Sequence, residues 1–137
     1  MEQIDFYLLP TDNDRQKLLF ACRLVNKVYS LDKRVFILTA DHRQTREMDQ
    51  LLWTWSPGSF TPHSNCLDSQ QPDSPVYIGH NAPPAEFSEV MLNLTDGAPD
   101  CRQQFQRLLE FVGSGEDDKQ KARARYKIYR DSGIEPK

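Results

Sequence analysis

The sequence predicts an α/β fold built on a mostly parallel sheet with helices on both faces, and three observations carry that prediction. Short apolar, β-branched runs alternate with segments of helical periodicity at the spacing of strand–helix–strand units. The length, 137 residues, suits one domain around one core. The composition, 38% hydrophobic, 10% aromatic and 27% charged, excludes collagen-like and wholly disordered chains.

Ile4 to Leu9 is a short apolar run stopped by Pro10, as suits a buried strand. Thr11-Asp12-Asn13-Asp14 then supplies several N-cap candidates for a helix. Leu18, Ala21, Cys22, Val25, Val28 and Tyr29 recur at three- and four-residue steps and form that helix's inner face. Arg34 to Thr39 reads as a second buried strand. Asp41 can cap a second helix that runs to about Trp53, with Met48, Leu51 and Leu52 turned inward. Residues 56–75 hold four prolines with much Ser, Asp, Gln and Asn, and read as a long irregular connection. Val76-Tyr77-Ile78 and Val90 to Leu94 are two further strands, separated by the Pro83-Pro84 breaker. Phe105 to Val112 fits helix and strand equally. Gly113-Ser114-Gly115 breaks the pattern, and Glu116-Asp117-Asp118 suits the start of a last, basic helix over about 117–131. The sum is one Rossmann-like domain over 1–137.

The net charge of −3 is unevenly spread. From Lys119 onward seven Lys/Arg face only Asp131 and Glu135, a net of +5, while the first 118 residues carry a net of −8. An acidic body with a basic end is therefore expected. No basic-then-apolar leader opens the chain and no apolar stretch approaches the roughly 20 residues of a membrane span, so a cytoplasmic protein is expected. Cys22, Cys66 and Cys101 make no disulfide framework, and reduced thiols are the default. The sequon Asn93-Leu94-Thr95 falls in a strand-like run and is discounted.

Two constellations stand out. At about 100° per residue, Lys119, Arg123, Tyr126 and Arg130 fall in a band about 60° wide on the last helix. Cations beside an aromatic ring on one face make a receptor for an anionic ligand with an apolar element. On pattern alone a plain solvated face is the commoner meaning of such a charge run. Trp53, Trp55 and Phe60 gather around Pro57 and Pro62 as interface anchors do, though they would equally serve to cover a sheet edge.

Catalytic and cofactor chemistry finds little footing. His63 and Cys66 lack the second ligand pair that a tetrahedral zinc site needs, and nothing selects one Cys–His combination as a nucleophile. No glycine-rich dinucleotide loop follows the first strand; the acids of Asp12-Asn13-Asp14 would repel a pyrophosphate, as would those after Gly113-Ser114-Gly115. No cofactor and no metal are expected. A small α/β nucleotide-binding or enzymatic domain that has displaced its glycine loop is one alternative. A direct single-stranded DNA binder stacking bases on Tyr126 and Tyr129 is another, weakened because those rings lie about 60° apart around the helix.

Several features in order resemble one family: Asp5-Phe6-Tyr7-Leu8-Leu9, the Lys33-Arg34-Val35 strand entry, Leu51-Leu52-Trp53 with Ser59-Phe60-Thr61-Pro62-His63, and Ala122-Arg123-Ala124-Arg125-Tyr126-Lys127-Ile128-Tyr129-Arg130. They are similar to the chi subunit of bacterial DNA polymerase III, a clamp-loader accessory subunit, over nearly the whole chain. The resemblance implies a non-catalytic protein that links the replicase to single-stranded DNA-binding protein (SSB) by holding that protein's acidic, Phe-ending C-terminal tail, so that contact with DNA is indirect. Carried over by position, Lys119, Arg123, Tyr126 and Arg130 match the tail-binding helix and Val112 a nearby apolar pocket residue. Trp53 and Phe60 match the aromatics that meet the psi subunit, where a psi is present. A repair helicase is a further partner of some members.

Overall fold

The computed structural model describes residues 3–56, 58 and 60–136; Pro57 and Ser59 of the aromatic stretch lie outside them. In chain order the elements are β1 (Gln3–Leu8), α1 (Asp14–Ser30), β2 (Val35–Leu38), α2 (His42–Thr54), β3 (His63–Asn65), β4 (Val76–Gly79), β5 (Val90–Asn93), a 3₁₀ turn (Asp100–Gln104), β6 (Arg107–Val112) and α3 (Glu116–Asp131). The six strands form one parallel sheet in the order β1-β6-β5-β2-β4-β3. β1 and β3 are its edges. The predicted class holds, and the sheet is open and wholly parallel.

Local chemistry accounts for the helices. Asn13 caps α1 through Oδ1, which accepts the Gln16 N–H at 3.0 Å, and Asp41 caps α2 by accepting the Gln44 N–H at 2.8 Å. The inner face of α1 is Leu18, Ala21, Cys22, Val25 and Val28, as its periodicity predicts. Alternation along β2 sends Val35 and Ile37 into a core with α1 and α2, and Phe36 and Leu38 into a second core with Tyr129 of α3. Helices therefore cover both faces, α1 and α2 on one and α3 on the other.

The segment left open between helix and strand is β6, a strand with five of six positions apolar or buried between β1 and β5. The stretch 56–75 is not wholly irregular: it contains β3, three residues paired with β4. Asn93 of the discounted sequon is buried within β5. Among the described residues no helix is long and apolar enough to cross a membrane.

Candidate functional site

α3 meets the sheet through Ala122, Arg125 and Tyr129. Beneath it lies Glu110 of β6, fully buried. The carboxylate accepts from Asn93 Nδ2 at 3.0 and 3.2 Å and from the Tyr129 hydroxyl, and pairs with Arg125 Nε at 3.2 Å. Arg125 also donates to the carbonyls of Asp96 at 3.0 Å and Phe111 at 3.3 Å. Burial pushes the Glu110 carboxyl upward against the pull of Arg125, and burial together with the neighbouring carboxylate pushes the Tyr129 phenol up.

With that face fixed inward, Lys119, Arg123, Tyr126 and Arg130 lie about 100° round the helix, on its flank. That flank borders the edge strand β1: the Tyr126 ring lies 5.8 Å from the Phe6 ring. Lys119, Arg123 and Arg130 are exposed and Tyr126 is half-buried. Leu8 is in register with Val112 and, by strand alternation, shares the face of Phe6; it is 80% exposed. Val112 itself is 4% exposed. Phe6, Leu8 and Tyr126 thus supply the apolar surface beside the three cations. Phe6 and Leu8 escaped the sequence reading because an apolar strand reads as buried wherever it sits, and only the strand order makes β1 an edge.

Two of the chain's own carboxylates already lie on this flank. Glu116 pairs with Arg123 at 3.2 Å, and Glu135 accepts the Tyr126 hydroxyl at 2.9 Å, which raises the phenol's pKa. On this flank the chain's own carboxylates are met by a guanidinium and by a phenol, with apolar side chains next to them. Tyr129 is wholly buried and offers no ring to a base, so the stacking pair of the DNA-binding alternative is not there.

The second constellation is divided by the fold. Trp55 packs against the core, whereas Trp53 and Phe60 are 53% and 64% exposed with ring centroids 5.7 Å apart. Trp53 does lie against the sheet edge, over His63 of β3, while keeping half of its own surface exposed. Thr61 donates to Asn26 of α1 at 2.9 Å, tying this loop to the body. His63, whose side chain is wholly buried, lies 4.4 Å from the Trp53 ring, centroid to centroid.

At the C-terminal ends of the strands, where open α/β sheets take their ligands, there is a cleft of about 630 Å³. Its lining includes Asp12, Asp14, Asp41, Asp96, Asp117 and Asp118. Lys17 and Lys121 are engaged there by Asp118 at 2.6 Å and by Asp96 and Asp117 at 3.2 Å. Arg43 and Arg125 share the lining with these acids. The Gly113-Ser114-Gly115 stretch is a close-approach device: a Cβ on Gly113 would stand 2.5 Å from Asp118 Oδ2, and one on Gly115 2.5 Å from Asp12 Oδ2. Asp118 uses that space to accept the Gly113 N–H at 3.0 Å. Among the described residues no group of three or more His, Cys, Asp or Glu side chains is placed to hold a metal. One Cys–His pair does come together, Cys66 Sγ and His80 Nδ1 at 3.5 Å, with Thr45 Oγ1 also 3.1 Å from that nitrogen.

The sequence matches the family described as DNA polymerase III chi subunit, HolC, over residues 1–137. It is 33% identical to the DNA polymerase III subunit chi of Pseudomonas aeruginosa across 97% of this chain and 92% of the relative. Identity to the Escherichia coli subunit chi is 30%, across 98% and 95% of the two chains, and to that of Haemophilus influenzae 28%, across 93% and 90%. A match along the whole length, with relatives of the same extent, means that the chain belongs to the DNA polymerase III chi subunit family.

Proposed function

We propose that this replication accessory subunit is non-catalytic and links the DNA polymerase III clamp loader to SSB by binding the acidic, Phe-ending C-terminal tail of that protein. The observation that carries the reading is the flank of α3, where Lys119, Arg123 and Arg130 stand exposed beside Phe6, Leu8 and Tyr126. A terminal carboxylate with a preceding aspartate asks for Arg and Lys, and a final Phe ring asks for an apolar slot within reach of them. Glu116 and Glu135 hold places that the tail's carboxylates take over on binding.

The exposed Trp53–Phe60 pair is the surface for the psi subunit, through which chi joins the clamp loader. Trp53 lies in the last turn of α2 beside β3, at the sheet edge opposite β1. Five strand spacings of about 4.8 Å put about 24 Å of sheet between the two edges, so both partners can be held at once. Capture of intact SSB on immobilised chain, lost with SSB lacking its last few residues, tests the tail reading; equal capture of both forms would overturn it.

A further inference from the structure

His63 lies beneath the exposed Trp53 and Phe60, and its two ring nitrogens face oxygen atoms that only accept. Nδ1 is 2.8 Å from the Thr61 carbonyl. Nε2 is 3.0 Å from the Asp49 carbonyl and 3.3 Å from the Asp49 carboxylate. A neutral imidazole carries one N–H and would leave its other nitrogen lone pair against an oxygen lone pair; the imidazolium satisfies both sides. Its counter-charge is in place, since Asp49 is also held by Asn65 Nδ2 at 3.0 Å. The other charged groups around this cluster are Arg46 of α2 and Asp68, which shares Asn65 Nδ2 at 3.0 Å and lies 4.0 Å from Arg46. Two carboxylates against one guanidinium favour a positive ring. The Trp53 indole then rests on that ring at 4.4 Å between centroids, inside the reach of a cation–π contact.

We propose that His63 is an imidazolium at neutral pH and is the positioning residue of the Trp53–Phe60 surface, its charge seating the Trp53 indole in the posture that presents it to a partner. Burial pulls the ring's pKa down, but the hydrogen bonds it donates to Asp49 and Thr61 and the charge of Asp49 prevail and raise it above the ordinary 6.5. Phe60, 5.7 Å from Trp53, is held in turn through the indole. A neutral ring loses the Asp49 pair and the cation under the indole together, so Trp53 is released when His63 gives up its proton.

The inference concerns the chain by itself and is tested without a partner, so a failure of psi to need Trp53 would remove the docking reading and leave this one standing. Nitrogen-15 NMR of the full chain, with His63 assigned through His63→Gln, reads the protonation of both ring nitrogens while the Trp53 indole N–H is followed in the same spectra. The expected result is both nitrogens protonated at neutral pH, with the Trp53 resonance shifting at the His63 midpoint and losing that step in His63→Gln. One unprotonated ring nitrogen at neutral pH would overturn the proposal, as would a Trp53 resonance indifferent to the His63 titration. Should His63→Gln fail to fold, His42→Gln and His80→Gln assign the remaining histidine signal to His63 and the titration decides.

Discussion

Glu110 has no exposure to solvent, and its carboxylate gathers Asn93, Arg125 and Tyr129 into one network across the β5–β6–α3 boundary. Breaking such a pair is costlier than never having built it, because the survivor is left as a buried charge. Arg125→Ala is expected to lose about 3–5 kcal/mol of stability for that reason. Tyr129→Phe, which removes one hydroxyl donor, is expected to lose about 1–3 kcal/mol. Urea unfolding midpoints of the two variants rank the losses. Neither role was legible beforehand, since Arg125 counted as one more cation of a basic helix until the helix's phase on the sheet was known. His63 and Asp49 carry a pH dependence of opposite senses. The raised His63 gives stability that is complete below pH 6.5 and lost as pH rises through its folded value. For Asp49, burial works upward but the hydrogen bonds of His63 and Asn65 and the His63 charge hold its pKa below 3.8, so its contribution is present above that value and lost as pH falls through the folded one. Unfolding free energies at about pH 6 and pH 9 should fall toward the alkaline side in the wild type and lose that component in His63→Gln.

At the scale of the element, α3 combines two faces that one periodicity encodes. Ala122, Arg125 and Tyr129 repeat inward, and Lys119, Arg123, Tyr126 and Arg130 repeat on the flank. The flank's cations were readable because 3.6-residue spacing is local. Its apolar half was not, because Phe6 and Leu8 come from the far end of the chain and reach α3 only through the β1–β6 pairing. The same distinction separates the strands. β2, β4 and β5 were legible as apolar runs, whereas β3, His63-Ser64-Asn65, has no strand-like composition and exists by pairing with β4. β6 stayed ambiguous because apolar residues on both faces of a central strand carry no period. Glu116 and Glu135 give the element its own test. If they compete with an incoming carboxylate, Glu116→Gln and Glu135→Gln should each tighten tail-peptide binding by about two- to fivefold, the scale of exposed ion pairs. Fluorescence polarisation with a labelled peptide measures this, and unchanged affinity in both variants would remove the competition.

Over the whole molecule, the parallel sheet keeps the α3–β1 flank and the Trp53–Phe60 surface at opposite edges. Sites so far apart with no shared side chain are expected to act additively, with coupling under about 0.5 kcal/mol. Calorimetric titration of tail peptide into the chain, with and without saturating psi, should return the same affinity. The charge distribution belongs to this scale too: a body of −8 and a terminal region of +5 sum to a mean of −3 that hides the basic end. If the exposed cations of α3 receive the tail, binding should weaken steadily as ionic strength rises and the Debye length falls below about 10 Å. The most direct test of the central claim is titration of a fluorescent peptide carrying an acidic, Phe-ending C-terminus against wild type and Arg123→Ala. The variant is expected to bind roughly five- to 150-fold more weakly, the loss of a central anchor worth about 1–3 kcal/mol. Equal affinity for the two proteins would contradict it.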